Sequence, residues 1–190
     1  IIATLFFVVN DAVIRYTSTS KIDFYHFVFY GTPVYLSVPI YLIILGKFKA
    51  KMKTSNYLIP LLRGLLFLPA PLIAFTALRN ISLPEYSTLI MSSPIFSTLL
   101  SIFILKEKLN KFLILSILIG LIGVVLVFQP GFSNFSFYFM VVLFGAFLIS
   151  INNFIVNKYN TITSPVGYFV YGGLFVHSLC VLLFFLDPKV

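Results

Sequence analysis

The chain has 190 residues, of which 60% are hydrophobic and only 9% charged, with a formal net charge of +8 and a mean hydropathy of +1.07. Water-soluble domains carry about 25% charged residues, so this chain cannot cover a water-facing surface, and its apolar excess has to face a bilayer. The positive charge does not mark a nucleic-acid binder, because the lysines sit in short links between apolar runs, which is a topology pattern and not a basic face.

Seven apolar runs can be read, at residues 1–16, 24–45, 57–78, 83–105, 112–128, 135–156 and 166–186. Most approach the ~20 residues that cross about 30 Å of hydrocarbon at about 1.5 Å per residue. In lipid the backbone has to satisfy its own hydrogen bonds, so each run is predicted to be helical. The alternating segments of a membrane barrel are not seen. The fold class expected is an all-α integral membrane protein, a multi-helix bundle.

The first run carries Asn10, Asp11 and Arg15. Ionisable groups within a membrane are costly and are functional candidates by default; alternatively Asp11 and Arg15, four residues apart, pair along one helix face. The second run holds His26, which has no metal-ligand spacing to a partner. In the third, Pro69 and Pro71 mark an irregular helix, and Arg63, beside Gly64, can snorkel to the headgroups. The fourth opens on "LPEYSTLIMSSPIF". Glu85, next to Tyr86, is either a carboxylate favoured by the helix dipole or a cavity carboxylate that takes a cation or proton. Ser92, Ser93 and Pro94 follow. A proline frees a backbone carbonyl, which a membrane tolerates where the group is buried in protein or meets a water-filled cavity, so this stretch is either a packing kink or a substrate contact.

The fourth run ends at Lys106, Glu107 and Lys108, where Glu107 reads as an interfacial residue fixing the turn into the next helix. Gly120 and Gly123 in the fifth run, with Gly145 in the sixth, are expected to allow close helix approach. The sixth run also holds Asn152 and Asn153. The seventh holds His177, again a lone histidine, and Cys180. A single thiol excludes an intrachain disulfide and reads as a small packing residue.

If the runs alternate in direction, the links on one face hold eight lysines: Lys47, Lys49, Lys51, Lys53, Lys106, Lys108, Lys111 and Lys158. The opposite links hold Lys21, Arg79 and Lys189, with Arg15 close by. The positive-inside rule places the lysine-rich face in the cytosol. The chain opens on Ile1 inside apolar sequence and stops just after the seventh run, so it is expected to be a fragment of something longer. The charged pair in the first run and the lack of a small-residue cleavage site argue against a signal peptide.

Two segments resemble each other, "NDAVIRYTSTSKIDFYHFVFYG" and "NFIVNKYNTITSPVGYFVYGG". Asn10 pairs with Asn153, Arg15 with Lys158 and Tyr16 with Tyr159. After a slip of one residue, Phe27, Val28 and Phe29 pair with Phe169, Val170 and Tyr171, and Gly31 with Gly173. The two copies are five apolar runs apart, so the second lies upside down in the membrane. Inverted repeats recur in secondary transporters, with the substrate site near the midplane between them.

The stretch "LRGLLFLPAPLIAFTALRNISLPEYSTLIMSSPIFSTLLSIFILKEKLNKFLILSILIGLIGVVL" resembles the EamA domain of the drug/metabolite transporter superfamily. The resemblance is carried by Ala77 and Leu78, "LPEYSTL", the proline of "SSPIF", the glutamate of "LKEKL", and Gly120 and Gly123. One departure is "YHFVFYGTP" at the start of the second helix, where the family often has an arginine. The resemblance implies ten transmembrane helices in two inverted five-helix repeats. Residues 1–130 would then be the first repeat, and 135–190 the first two helices of an incomplete second. It also implies a transporter of small metabolites.

The function expected is secondary transport across the cytoplasmic (inner) membrane by alternating access, with proton coupling through Asp11 or Glu85. Rival readings are an integral-membrane enzyme acting on lipids and a seven-helix receptor. No Walker-type phosphate loop, CxxC, HExxH or GxSxG motif occurs, so no enzymatic activity, metal or cofactor is expected. The partners expected are a small-molecule substrate and the lipid bilayer, with a homodimer as an admissible assembly. Asn10, Asp11, Arg15, Glu85, Tyr86, Ser92, Ser93, Pro94, Asn152 and Asn153 are the candidate cavity residues.

Overall fold

A computed structural model describes residues 2–20, 22–105, 110–127 and 136–187. The expectations placed on Lys21, Lys106, Glu107, Lys108 and Lys189 lie outside the described residues. In chain order the helices are α1 (Ile2–Ser18), α2 (Phe24–Ile44), α3 (Phe48–Lys51), α4 (Leu58–Phe67), α5 (Ala70–Asn80), α6 (Leu83–Ile90), α7 (Ser93–Leu105), α8 (Lys111–Val127), α9 (Phe137–Lys158) and α10 (Pro165–Leu186). The protein is all-α, and among the described residues the only β pairing is an isolated antiparallel bridge between Thr54 and Thr163.

Five segments are long and apolar enough to span a membrane: Phe24–Ile44, Leu58–Asn80, Leu83–Ile104, Phe137–Lys158 and Pro165–Leu186. Helices α1 and α8 have 17 described residues each. Two spans are interrupted where the sequence puts proline. Pro69 and Pro71 lack the N–H that would continue α4, so α4 and α5 part at Leu68 and Pro69, and Pro94 separates α6 from α7. Pro33 and Pro39, by contrast, sit inside a continuous α2. Large side chains such as Val34, Phe103 and Phe112 are exposed, as lipid-facing residues of a bundle are.

The chain divides into two compact units, Ile1–Ser20 with Ile73–Phe154, and Lys21–Leu72 with Ile155–Val190. In the second, α10 packs against α2 and α4. A Cβ on Gly64 would lie 2.9 Å from both Cα and O of Gly172, so α4 and α10 touch backbone to backbone. Arg63 does not simply snorkel; its Nη1 donates to the Tyr168 carbonyl at 2.9 Å and its guanidinium lies 5.8 Å from the Tyr168 ring centre. Its Nε is buried without a partner among the described residues.

Helix α2 ends in a Schellman turn, with Gly46 at φ 63° and Lys47 N–H bonded to Leu42 O at 3.0 Å. The link after it meets the link before α10. Ser55 N–H donates to Ile162 O at 3.0 Å, the Thr54 and Thr163 hydroxyls lie 2.6 Å apart, and the Ser164 hydroxyl bonds Lys51 O. Two links expected on the lysine-rich face therefore do lie together. At the other end of the unit, Tyr25 OH bonds the Asp187 carboxylate at 3.1 Å. The Phe29 and Phe184 rings stack at 3.9 Å, and Cys180 is buried, as a packing residue would be.

In the first unit, glycines set two close approaches. A Cβ on Gly145 would come within 3.0 Å of Ile73 Cγ2, and one on Gly120 within 3.2 Å of Ile95 Cδ1. A Cβ on Gly123, by contrast, would meet nothing within 4 Å among the described residues. Phe96 and Phe147 meet edge to face at 5.8 Å, and Ala77, Leu78, Val142 and Ala146 are fully buried.

Candidate substrate site

All ten candidate residues fall in the first unit. Arg15, near the end of α1, turns its Nη1 to the carbonyls of Leu78 and Ile81, the latter at 2.8 Å. Arg79, near the end of α5, returns the contact, its Nε donating to Ser18 O at 2.7 Å. Each arginine thus caps the other helix's C-terminus, where unsatisfied carbonyls and the helix dipole favour a cation. Among the described residues no ion pair joins Arg15 to Asp11, so the alternative of a helix-face pair is not the one formed.

Asp11 is left half-buried one turn earlier in α1, next to Asn10, which is exposed. Helix α1 packs on α6. Tyr86, on α6, is only 6% exposed. A half-buried carboxylate and a buried tyrosine thus lie on two packed helices. Polar groups of this kind inside a membrane protein can hold a cationic or hydrogen-bonding group.

Glu85 is placed by the first turn of α6. Its Oε2 accepts from Ser82 N–H at 2.7 Å and from the Ser82 hydroxyl at 2.6 Å, while Ser82 Oγ faces Glu85 N–H at 3.5 Å. This reciprocal capping box is encoded locally by serine followed three residues later by glutamate.

The break between α6 and α7 holds Ser92, Ser93 and Pro94. The backbone tightens here, with Ser92 N–H bonding Leu89 O at 3.1 Å and Ile95 N–H bonding Ser92 O at 2.9 Å. Pro94 has no N–H for the Ile90 carbonyl. Ser92 is 4% exposed and folds its hydroxyl back on Leu89 O at 2.6 Å, while Pro94 itself is exposed.

Helix α9 reaches this break through Ser150, whose fully buried hydroxyl lies 2.6 Å from Ser93 O and 2.9 Å from Ala146 O. Sequence reasoning missed Ser150, although it stands as a lone hydroxyl one turn before the asparagine pair. Asn152 is 2% exposed; its Nδ2 donates to Leu148 O at 3.1 Å and its Oδ1 has no partner among the described residues. Asn153 is exposed. The structure thus brings together Ser93 with Ser150, and places Asp11 and Tyr86 on the packed helices α1 and α6. It leaves Asn10, Asn153 and Pro94 on the unit's surface. Among the described residues no cluster of three His, Cys, Asp or Glu is placed to hold a metal ion.

With this geometry in hand, comparison with known proteins adds a family. The model of the EamA-like transporter family matches residues 1–129. A protein of Helicobacter pylori strain J99, named an uncharacterized transporter, is 40% identical over 65 residues, which is 34% of this chain and 22% of that protein. A counterpart of the same name in Helicobacter pylori strain 26695 is 37% identical over 81 residues, 42% of this chain and 27% of that protein. The matches therefore span about a quarter of these relatives' length. No solved structure matches the chain.

Proposed function

Since the chain belongs to the EamA-like transporter family, a family of multi-pass membrane transporters, we propose that it serves a secondary transporter moving a small metabolite across the cytoplasmic membrane by alternating access. In this reading transport is proton-coupled through Asp11. The observation that carries it is the half-buried Asp11 carboxylate on α1, a helix packed on α6, where Tyr86 is buried. A carboxylate kept inside a membrane protein away from its helix-mate Arg15 is costly unless it takes part in binding or proton exchange. The α6–α7 break, with the Ile90 carbonyl and the Ser92 and Ser150 hydroxyls, supplies polar groups of the kind that discontinuous helices contribute to transporter sites. Asn152, with its unpartnered Oδ1, adds a hydrogen-bond acceptor. Glu85 is the second carboxylate of the reading, and its Oε2 also holds the Ser82 cap.

The test is uptake of a labelled panel of amino acids, nucleosides and sugars by the full-length protein in proteoliposomes, with and without an imposed pH gradient. Asp11→Asn is expected to abolish the response to the gradient while the protein remains monodisperse. A fully gradient-driven Asp11→Asn protein would remove Asp11 from the mechanism. Glu85→Gln, run in parallel, separates a transport role from the cap, since glutamine still accepts the Ser82 bonds.

A further inference from the structure

The register that aligns Phe27, Val28 and Phe29 with Phe169, Val170 and Tyr171, and Gly31 with Gly173, also aligns Tyr35 with His177. These two equivalent residues touch. Their rings stack with centroids 4.2 Å apart and planes within 13°, near the middle of both α2 and α10. The helices run antiparallel, with Tyr25 meeting Asp187 at one end and Tyr35 meeting Val170 further along. In an antiparallel pair built from two copies of one motif, a residue meets its own equivalent only on the axis that relates the copies. The pseudo-two-fold axis of the inverted repeats therefore passes between Tyr35 and His177.

The polar contacts follow the same symmetry. Tyr35 OH donates to the Val170 carbonyl. The equivalent bond would run from His177 to the Val28 carbonyl, and here it is made through one hydroxyl. Thr32 Oγ1 donates to Val28 O at 3.0 Å and lies 2.9 Å from His177 Nδ1. The symmetry breaks at the glycines. A Cβ on Gly173 would run into the Tyr35 ring, whereas a Cβ on Gly31 would meet nothing within 4 Å among the described residues. One of two equivalent seats is filled and the other is open.

We propose that α2 and α10 form a rocking joint pivoted on the Tyr35–His177 stack. Its second packing seats His177 on Gly31, within direct reach of the Val28 carbonyl, while Tyr35 lifts from Gly173. Packed helix interfaces switch between discrete arrangements and do not deform continuously. Two arrangements related by a repeat are close in energy because they reuse the same kind of contact. They are not identical here: the Thr32 bridge belongs to the present packing, and its equivalent, Leu174, has no hydroxyl. The inference rests on the transporter reading with inverted repeats, and makes this joint the element whose two states would face the two sides of the membrane.

The experiment is disulfide trapping in the full-length protein on a background in which Cys180 and any other cysteine of the full-length chain are replaced by alanine, without substrate. The pair Tyr35→Cys with Gly173→Cys reports the present packing, and Gly31→Cys with His177→Cys reports the second, because a disulfide needs Cα atoms within about 7 Å. Both pairs are expected to close on mild oxidation. Gly173→Ala, which sets a methyl group into the Tyr35 ring, should speed closure of the second pair about tenfold, the scale of one overpacked methyl group. Gly31→Leu, which fits the open seat of the present packing, should raise the yield of the first pair and serves as the folded comparison. A second pair that stays reduced while the first closes, or a Gly173→Ala protein with an unchanged rate, overturns the joint. Because trapping needs no substrate, a protein that forms both disulfides but transports nothing would keep the joint and lose the transport reading.

Discussion

Replacing Gly64 by alanine tests the α4–α10 contact. The added Cβ would sit 2.9 Å from Cα and O of Gly172 and 3.1 Å from Phe175 Cδ2. Two of these three atoms are backbone, which cannot rotate aside as a side-chain tip does, so the helices have to separate by several tenths of an ångström. Overpacking of this kind costs about 1–3 kcal/mol, against a helix-propensity gain of about 1 kcal/mol for Gly→Ala. Gly123→Ala isolates the gain, because a Cβ there meets nothing within 4 Å among the described residues. The two variants are therefore expected to differ by about 1–3 kcal/mol in favour of Gly123→Ala. The assay is thermal unfolding of the purified full-length proteins in one detergent, followed by tryptophan-independent dye binding to Cys180 as the core opens; Cys180 is 2% exposed in the folded chain. A Gly64→Ala protein as stable as Gly123→Ala would refute the backbone contact.

Arg15→Gln should destabilise the protein by about 1.5–3 kcal/mol, the scale of hydrogen bonds to a charged group, because the Leu78 and Ile81 carbonyls lose their donor; the same unfolding assay reads it. Ser82→Ala should cost about 1 kcal/mol through loss of the α6 cap, whereas Glu85→Gln should change stability by only a few tenths. Asn152→Leu removes a buried acceptor that has no partner among the described residues, so the midpoint of unfolding should rise. If Asn152 contacts substrate, uptake should fall in the same protein, and a rise in both would exclude that contact.

Much of the fold was legible because lipid leaves the backbone few options. The runs read at 24–45 and 166–186 match α2 and α10 (Pro165–Leu186) to within a residue at each end. Pro69 and Pro94 marked the two broken spans. Composition gave no warning that Pro33 and Pro39 would leave α2 unbroken. The pairing of helices was harder to read for a physical reason: α8 and α10 are apolar all round, so no stripe says which face meets protein and which meets lipid. Gly64 against Gly172 was missed for that reason, and the close contact expected of Gly123 has no partner among the described residues.

At the site, ionisable and polar residues inside apolar runs pointed to Asp11, Tyr86 and Ser92. The same rule could not tell that Arg15 would turn from Asp11 to the end of α5. That depends on two helix termini lying side by side, which no local spacing encodes. Ser150 was overlooked because a single serine in a membrane helix is common, and its meaning comes only from Ser93 O at 2.6 Å.

The central claim is that this family member binds a metabolite at a site that alternates between the two membrane faces. Substrate counterflow tests it most directly. Proteoliposomes holding the full-length protein are loaded with one unlabelled compound and diluted into a trace of the labelled form. The account predicts transient accumulation of label above equilibrium for at least one compound, slowed in Asp11→Asn. Folded, reconstituted protein that gives no overshoot beyond empty liposomes for any compound of the panel would contradict it.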